Sequence, residues 1–297
     1  MIWLHLDGRP VPTELGEILL AWHADPFVLV PIALAAWGYV ELARSVNRRH
    51  PTNPWPRRRV AFWIGGLVAI LLALQSPIDA LSEQLLVVHM IQHMLLTTVG
   101  PPLIAASGVG TLLLRAASPG VRTRVLLPLM HGPLAYLVHP AVGWIAFVAV
   151  MWGSHMSGLY NLALTDPTVH ALEHVGYLVA ATLFWWPVFS PDPLRWRLHP
   201  GVKLMYVIGQ LPSMSFLAVV LLTAPSVLYP AYVGRAEQFG IDALVDQQAA
   251  GALMWVTGDM ALIGAALIVA ADWMRRSEEQ NARVDARLAR QREGRTR

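Results

Sequence analysis

Two pairs of histidines stand four residues apart, His89 with His93 and His170 with His174, and a fifth candidate, His155, falls between the pairs in sequence. Residues i and i+4 project from one face of a helix with Cβ atoms about 5–6 Å apart, so each pair can offer two imidazoles to one ion. Cysteine is absent, which excludes disulfides, thiolate metal sites and thiol nucleophiles. Soft-metal chemistry would therefore rest on histidine and methionine, and the chain has 11 of each. Met94 and Met156 directly follow His93 and His155, and Met254 is a third candidate; thioether sulfur beside imidazole selects Cu(I) over zinc or magnesium. Methionine is also an ordinary filler of gaps between helices, and for any single one packing is the default reading. Glu173 could accept from a ring N–H and fix its tautomer, as metal-bound histidine requires, or serve as a carboxylate favoured near a helix N-terminus. Asp246 and Gln247 reach the same level of the chain as these groups.

The elements that must position these residues are membrane helices. Charged residues make up 14% of the 297 and hydrophobic ones 55%, with a mean hydropathy of +0.48, whereas a soluble domain carries roughly 25% charge. A water-facing shell cannot be built from that, and a nucleic-acid-binding role is excluded because the basic residues are confined to a few short stretches. Runs of roughly 20 apolar residues, enough to cross about 30 Å of hydrocarbon, lie near 26–46, 60–78, 85–107, 138–157, 168–189, 202–223 and 248–271. The expected fold is all-α, a polytopic bundle of about seven transmembrane helices over residues 26–273. All the Lys and Arg except Arg9 and Arg235 fall after the first, third, fifth and last spans. Cytoplasmic loops retain positive charge, so the N-terminus is expected outside and the C-terminus in the cytoplasm.

Residues 1–25 carry Asp7, Glu14, Glu17 and Asp25 with no basic n-region, and read as an external lead-in rather than a signal peptide. The segment 108–137, broken by glycine and proline and holding three arginines, is expected along the inner interface. The basic tail 274–297 has no apolar face and is expected in the cytoplasm as a solvated helix or without structure. The orientation places His89, His93, His155, His170 and His174 in the outer third of the membrane, where an ionisable group costs at least about 2.5 kcal/mol and usually marks a functional site. His50, His131, His139 and His199 fall beside prolines or in inner loops, with an interfacial role. Asp259 lies near the midplane, where a hydrogen bond to the Ser213/Ser215 stretch would satisfy it. Gly100-Pro101-Pro102 and Pro212 read as kinks. No nucleotide-binding, GxSxG or HExxH pattern is present.

Taken together, His89-Met90-x-x-His93-Met94, Trp152-x-x-His155, Tyr160-Asn161, His170-x-x-Glu173-His174 and Asp246-Gln247-x-x-x-Gly251-x-x-Met254-Trp255 resemble the polytopic CtaG-type assembly factors of caa3-type cytochrome c oxidase. The resemblance covers nearly the whole membrane region and none of the tail. It implies a bacterial inner-membrane protein needed for maturation of a haem–copper oxidase, with copper supply as the inferred role. Oxidase subunits would be the partners, with a periplasmic copper donor upstream. An unrelated single-span copper chaperone that shares the CtaG name depends on cysteines, so the absence of cysteine excludes it.

Other chemistries remain open on the same residues. A seven-span zinc hydrolase of the ceramidase or adiponectin-receptor kind would activate water with three histidines and a carboxylate, Asp79 or Asp166. A b-type haem protein would use His93 and His174 as axial ligands. A purely structural role would spend five histidines on interhelical hydrogen bonds worth only about 0.6 kcal/mol each in membranes.

Overall fold

The computed structural model describes residues 15–193 and 195–295, so Asp7, Arg9 and Glu14 of the expected lead-in lie outside the described residues. The described chain is helical, with no strands. Seven long helices carry it: α1 (Pro26–Arg49), α2 (Arg57–Gln75), α3 (Leu86–Ala116), α4 (Pro140–Met156), α5 (Pro167–Phe189), α6 (Pro200–Thr223) and α7 (Ala243–Arg295). Each coincides with one of the apolar runs in the sequence. Five of them, α1, α2, α3, α6 and α7, are long and apolar enough to cross a membrane. α4 has 17 residues, roughly 25 Å of helix, and α5 opens with the polar residues His170, Glu173 and His174.

The starts of these helices follow a local rule. Asp25, His139, Asp166 and His199 each accept a backbone N–H of the first turn, and each is followed by proline. Proline at that position has φ preset for a helix and lacks an N–H that would otherwise go unsatisfied. These caps account for His139 and His199, which also pack against Trp196 and Trp273. α3 departs from the rule, since Leu85 has no capping side chain. Its orphan N–H groups, Leu86 and Val87, donate instead to the Asp246 carboxylate of α7 at 2.6 and 3.2 Å.

α2 packs on α3, α4 on α5 and α6 on α7, while α3 also packs on α5 and α7; α1 lies at the edge against α2. Close approach is enforced by small residues: a Cβ on Gly251 of α7 would stand 2.6 Å from the Leu222 backbone nitrogen of α6. α3 is not regular. Pro101 and Pro102 have no N–H for the carbonyls of Thr97 and Thr98, and the helix widens to a π-turn over Leu95–Val99. The indole of Trp185 on α5 donates to the Thr97 carbonyl at 2.8 Å, as expected where a neighbouring helix re-satisfies freed backbone. Ser215 of α6 donates to Asp259 of α7 at 2.8 Å, the pairing the sequence suggested. Gly108, in the left-handed conformation at φ 71°, ends the membrane-length part of α3. Beyond Ala116, the segment to Val138 consists of short broken helices. α7 continues without a break through the expected tail, its surface laced by pairs such as Arg276–Asp272 at 2.7 Å.

Candidate metal centre

His89 and His93 project from the first turns of α3, His170 and His174 from those of α5, and His155 from the last turn of α4. All five converge between the helices. The ring centroids of His89 lie 4.2 Å from His93 and 5.6 Å from His170; His93 lies 5.9 Å from His174 and 6.3 Å from His155. The two HxxxH pairs therefore face each other across the α3–α5 contact. One ring nitrogen from each of His89, His170 and His174 lies within 4.8 Å of the others, and so do nitrogens of His89 and His93 with an oxygen of Glu173. Donors about 2.0–2.1 Å from a metal ion are mutually separated by only a few ångströms, so small side-chain adjustments would close either set.

Hydrogen-bond partners assign two tautomers. The Tyr232 hydroxyl is 2.8 Å from the Ser82 carbonyl and 2.9 Å from His89 Nδ1. A carbonyl only accepts, so the phenol donates there and His89 must donate from Nδ1, leaving the Nε2 lone pair free to face the cluster. His155 Nδ1 is 2.8 Å from the Met151 carbonyl and must donate as well. Its Nε2 is buried and has no hydrogen-bond partner among the described residues. His89 Nε2 and His93 Nε2 stand 2.8 Å apart, a separation that requires one proton between them. A cation would replace that proton.

Glu173 is 5% exposed, and neither carboxylate oxygen has a hydrogen-bond partner among the described residues. This corrects the expectation that it orients a ring: no N–H is held by it, and its oxygen falls among the donor atoms themselves. Asp246 and Gln247 are corrected in the same sense. Asp246 spends both oxygens capping α3, while Gln247 accepts from the Leu228 N–H at 2.7 Å and so fixes the loop before Tyr229 and Tyr232. Neither bonds an imidazole; both position what does. Met94 and Met254 are buried in the main apolar cluster. Met156 is 53% exposed, because one residue beyond His155 is about 100° further round the helix, and it leaves the site. Asp166, a candidate carboxylate for hydrolysis, caps α5 instead.

Several participants were not identified from sequence. Tyr177 lies one turn below His174 on α5, 4.3 Å from the His93 ring by centroids, and bonds Ser154 and His155. Tyr160 packs 4.9 Å from His89. The i, i+3, i+4, i+7 spacing of His170, Glu173, His174 and Tyr177 was the available signal. A cavity of about 250 Å³ adjoins the cluster, lined by His170 and His174 together with Asp25, Asp79 and Glu83. His23 stands 3.6 Å from Asp79, which also accepts from Gln92 at 2.6 Å. Burial raises the Asp79 carboxyl to about 8 against the Gln92 hydrogen bond, and raises Glu83 to about 7.

Residues 37–276 match the model of the cytochrome c oxidase caa3 assembly factor family. The chain belongs to that family. Every residue of the histidine cluster lies within the matched stretch, as does Glu173, so the assembly-factor core and the candidate metal centre coincide. The chain is 27% identical over 287 residues to an uncharacterized protein of Mycobacterium leprae and 24% identical over 286 residues to one of Mycobacterium bovis. In each case 93% of this chain is aligned to 43% of the relative; the chain thus spans less than half the length of these relatives. No solved structure matches.

Proposed function

We propose that this oxidase assembly factor binds copper as cargo, as Cu(I), among His89, His93, His155, His170 and His174, and hands it to a maturing cytochrome c oxidase in the bacterial inner membrane. The observation that carries this reading is the set of enclosed donors: ring nitrogens of His89, His170 and His174, and of His89 and His93 with a Glu173 oxygen, within 4.8 Å of one another. Imidazole suits copper, and a buried carboxylate beside neutral rings supplies the negative charge that a cation needs in a low-dielectric site. Glu173 thus acts in direct contact with the ion. Met94 and Met254 keep their packing role. Delivery requires a labile site, and the carboxylate-lined cavity beside His170 and His174 gives the ion an exit and an entry on the same side, where a periplasmic donor would load it. The positive-inside pattern puts that side outside the cell.

The haem reading fits less well. The His89 and Tyr177 rings crowd His93, at 4.2 and 4.3 Å by centroids, and the adjoining cavity of about 250 Å³ is below the roughly 300 Å³ at which small-molecule sites begin. The zinc reading finds three histidines without a carboxylate in one donor set and two with Glu173 in the other, and Asp166 caps α5 instead.

The test is complementation. In cells lacking the wild-type copy, the His93→Ala/His174→Ala variant is expected to insert normally and to leave oxidase activity near background. Wild-type oxidase activity in those cells would sink the copper-delivery reading.

A further inference from the structure

At the opposite end of the bundle, α2, the end of α5, the start of α6 and α7 enclose a cavity of about 560 Å³. Its rim carries six cations, Arg58, Arg59, Arg197, Lys203, Arg275 and Arg276, against one carboxylate, Asp272. Asp272 is taken by Arg275 and Arg276 at 2.9 and 2.7 Å. Arg58, Arg59, Arg197 and Lys203 form no ion pair with a carboxylate among the described residues. Lys203 and Arg197 are instead aimed by neutral carbonyls: Lys203 Nζ donates to Val188 at 3.0 Å and Arg197 to Asp192 at 2.9 Å. The indole N–H of Trp196, on the same wall, is buried without a hydrogen-bond partner among the described residues.

Excess positive charge held this close together calls for an anion. The floor of the cavity shows which kind. Deeper along α2 and α7 come Phe62, Ile268 and Val269, in helices apolar enough to cross the bilayer, with Phe189 at the end of α5 beside them; Phe62 and Ile268 are exposed, so the cavity runs from a cationic rim to a lipid-facing apolar wall. A soluble phosphate would use only the rim. A phospholipid uses both parts, and basic pockets between membrane helices on the positive side are where anionic headgroups bind. We propose that this cavity seats the phosphodiester headgroup of an anionic phospholipid, with its acyl chains running along Phe62 and Ile268. The lipid would tie α7 to α2 and α5 by bridging Arg58 and Arg276.

Full-length protein, delipidated in a neutral maltoside detergent, is titrated with phosphatidylglycerol, phosphatidylcholine or inorganic phosphate, reading bound lipid by native mass spectrometry and thermal stability in parallel. Phosphatidylglycerol is expected to bind and raise the unfolding temperature, and phosphatidylcholine to do neither. Arg58→Gln/Arg276→Gln is expected to weaken phosphatidylglycerol binding by roughly tenfold or more, since each basic residue near an anionic surface contributes about 1 kcal/mol. Arg124→Gln/Arg290→Gln, which removes the same charge away from the cavity, is expected to bind as wild type. Should the first variant unfold, Arg58→Lys with Arg276→Lys keeps the charge and is expected to bind. Equal weakening by both glutamine pairs, or phosphate stabilising the protein as well as phosphatidylglycerol does, would overturn the lipid site.

Discussion

At the histidine end of the bundle, five imidazoles and Glu173 are enclosed between helices, and several of their polar atoms face each other rather than water or backbone. At the arginine end, six cations rim a cavity whose floor is apolar, and four of those cations, Arg58, Arg197, Arg275 and Arg276, are exposed. Both ends are polar, but the first pairs removal of water with small, directional donors, whereas the second spreads charge over a wide opening. A buried cluster of imidazoles and a carboxylate is costly unless something completes it, so the histidine end is built for a small ion. The arginine end is built for a large amphiphile. The difference teaches that polar density in a membrane protein is uninformative until burial and partner accounting are added to it.

The comparison is sharpest at Glu173. Glu173→Gln keeps the shape and removes the charge, and is expected to lower retained metal more than any other single change here, with no effect on lipid binding at the arginine end; equilibrium dialysis of the purified variant checks it. Tyr232→Phe removes the hydroxyl that accepts from His89 Nδ1. Loss of such an orienting partner typically costs 10–100-fold in metal affinity, and the same dialysis should show a loss in that range with the fold intact by circular dichroism.

Asp246→Ala leaves the Leu86 and Val87 N–H groups uncapped and is expected to cost about 0.5–2 kcal/mol, the range for a lost N-cap, read as a lower unfolding temperature in detergent. A fourth prediction concerns pH. Asp79, ordinarily near 3.8, is held to about 8 in the fold, so between those values the folded protein binds a proton that the unfolded chain has released. The contribution of Asp79 to stability then falls as pH rises from about 4 to about 8. Asp79→Asn is expected to flatten that slope, and a pH series of unfolding temperatures for both proteins measures it.

Much of this was legible in the sequence. The seven apolar runs became the seven long helices, and histidine depth put five imidazoles at one level, because a residue's position along a membrane helix fixes its height. What height does not fix is the angle round the helix. Met156 was expected beside His155 and instead points outward, one step of helical phase away. Asp246 and Gln247 were at the right level, but their partners are backbone groups 160 and 19 residues distant, which only the tertiary fold reveals. In the sequence Glu173 stands between orienting a ring and serving as a carboxylate near a helix N-terminus; neither oxygen has a hydrogen-bond partner among the described residues, and one falls among the donor atoms. Tyr177, in a membrane helix, and Tyr232, in the loop before α7, were passed over because nothing in the spacing of a tyrosine alone distinguishes a hydroxyl that holds an imidazole from one that packs.

The central claim, that the histidine end binds copper, is tested most directly by elemental analysis of the protein purified under reducing conditions beside its His93→Ala/His174→Ala variant. The account predicts about one copper per chain in the wild type and none in the variant. Zinc or iron in place of copper, or the same copper content in both proteins, would contradict it.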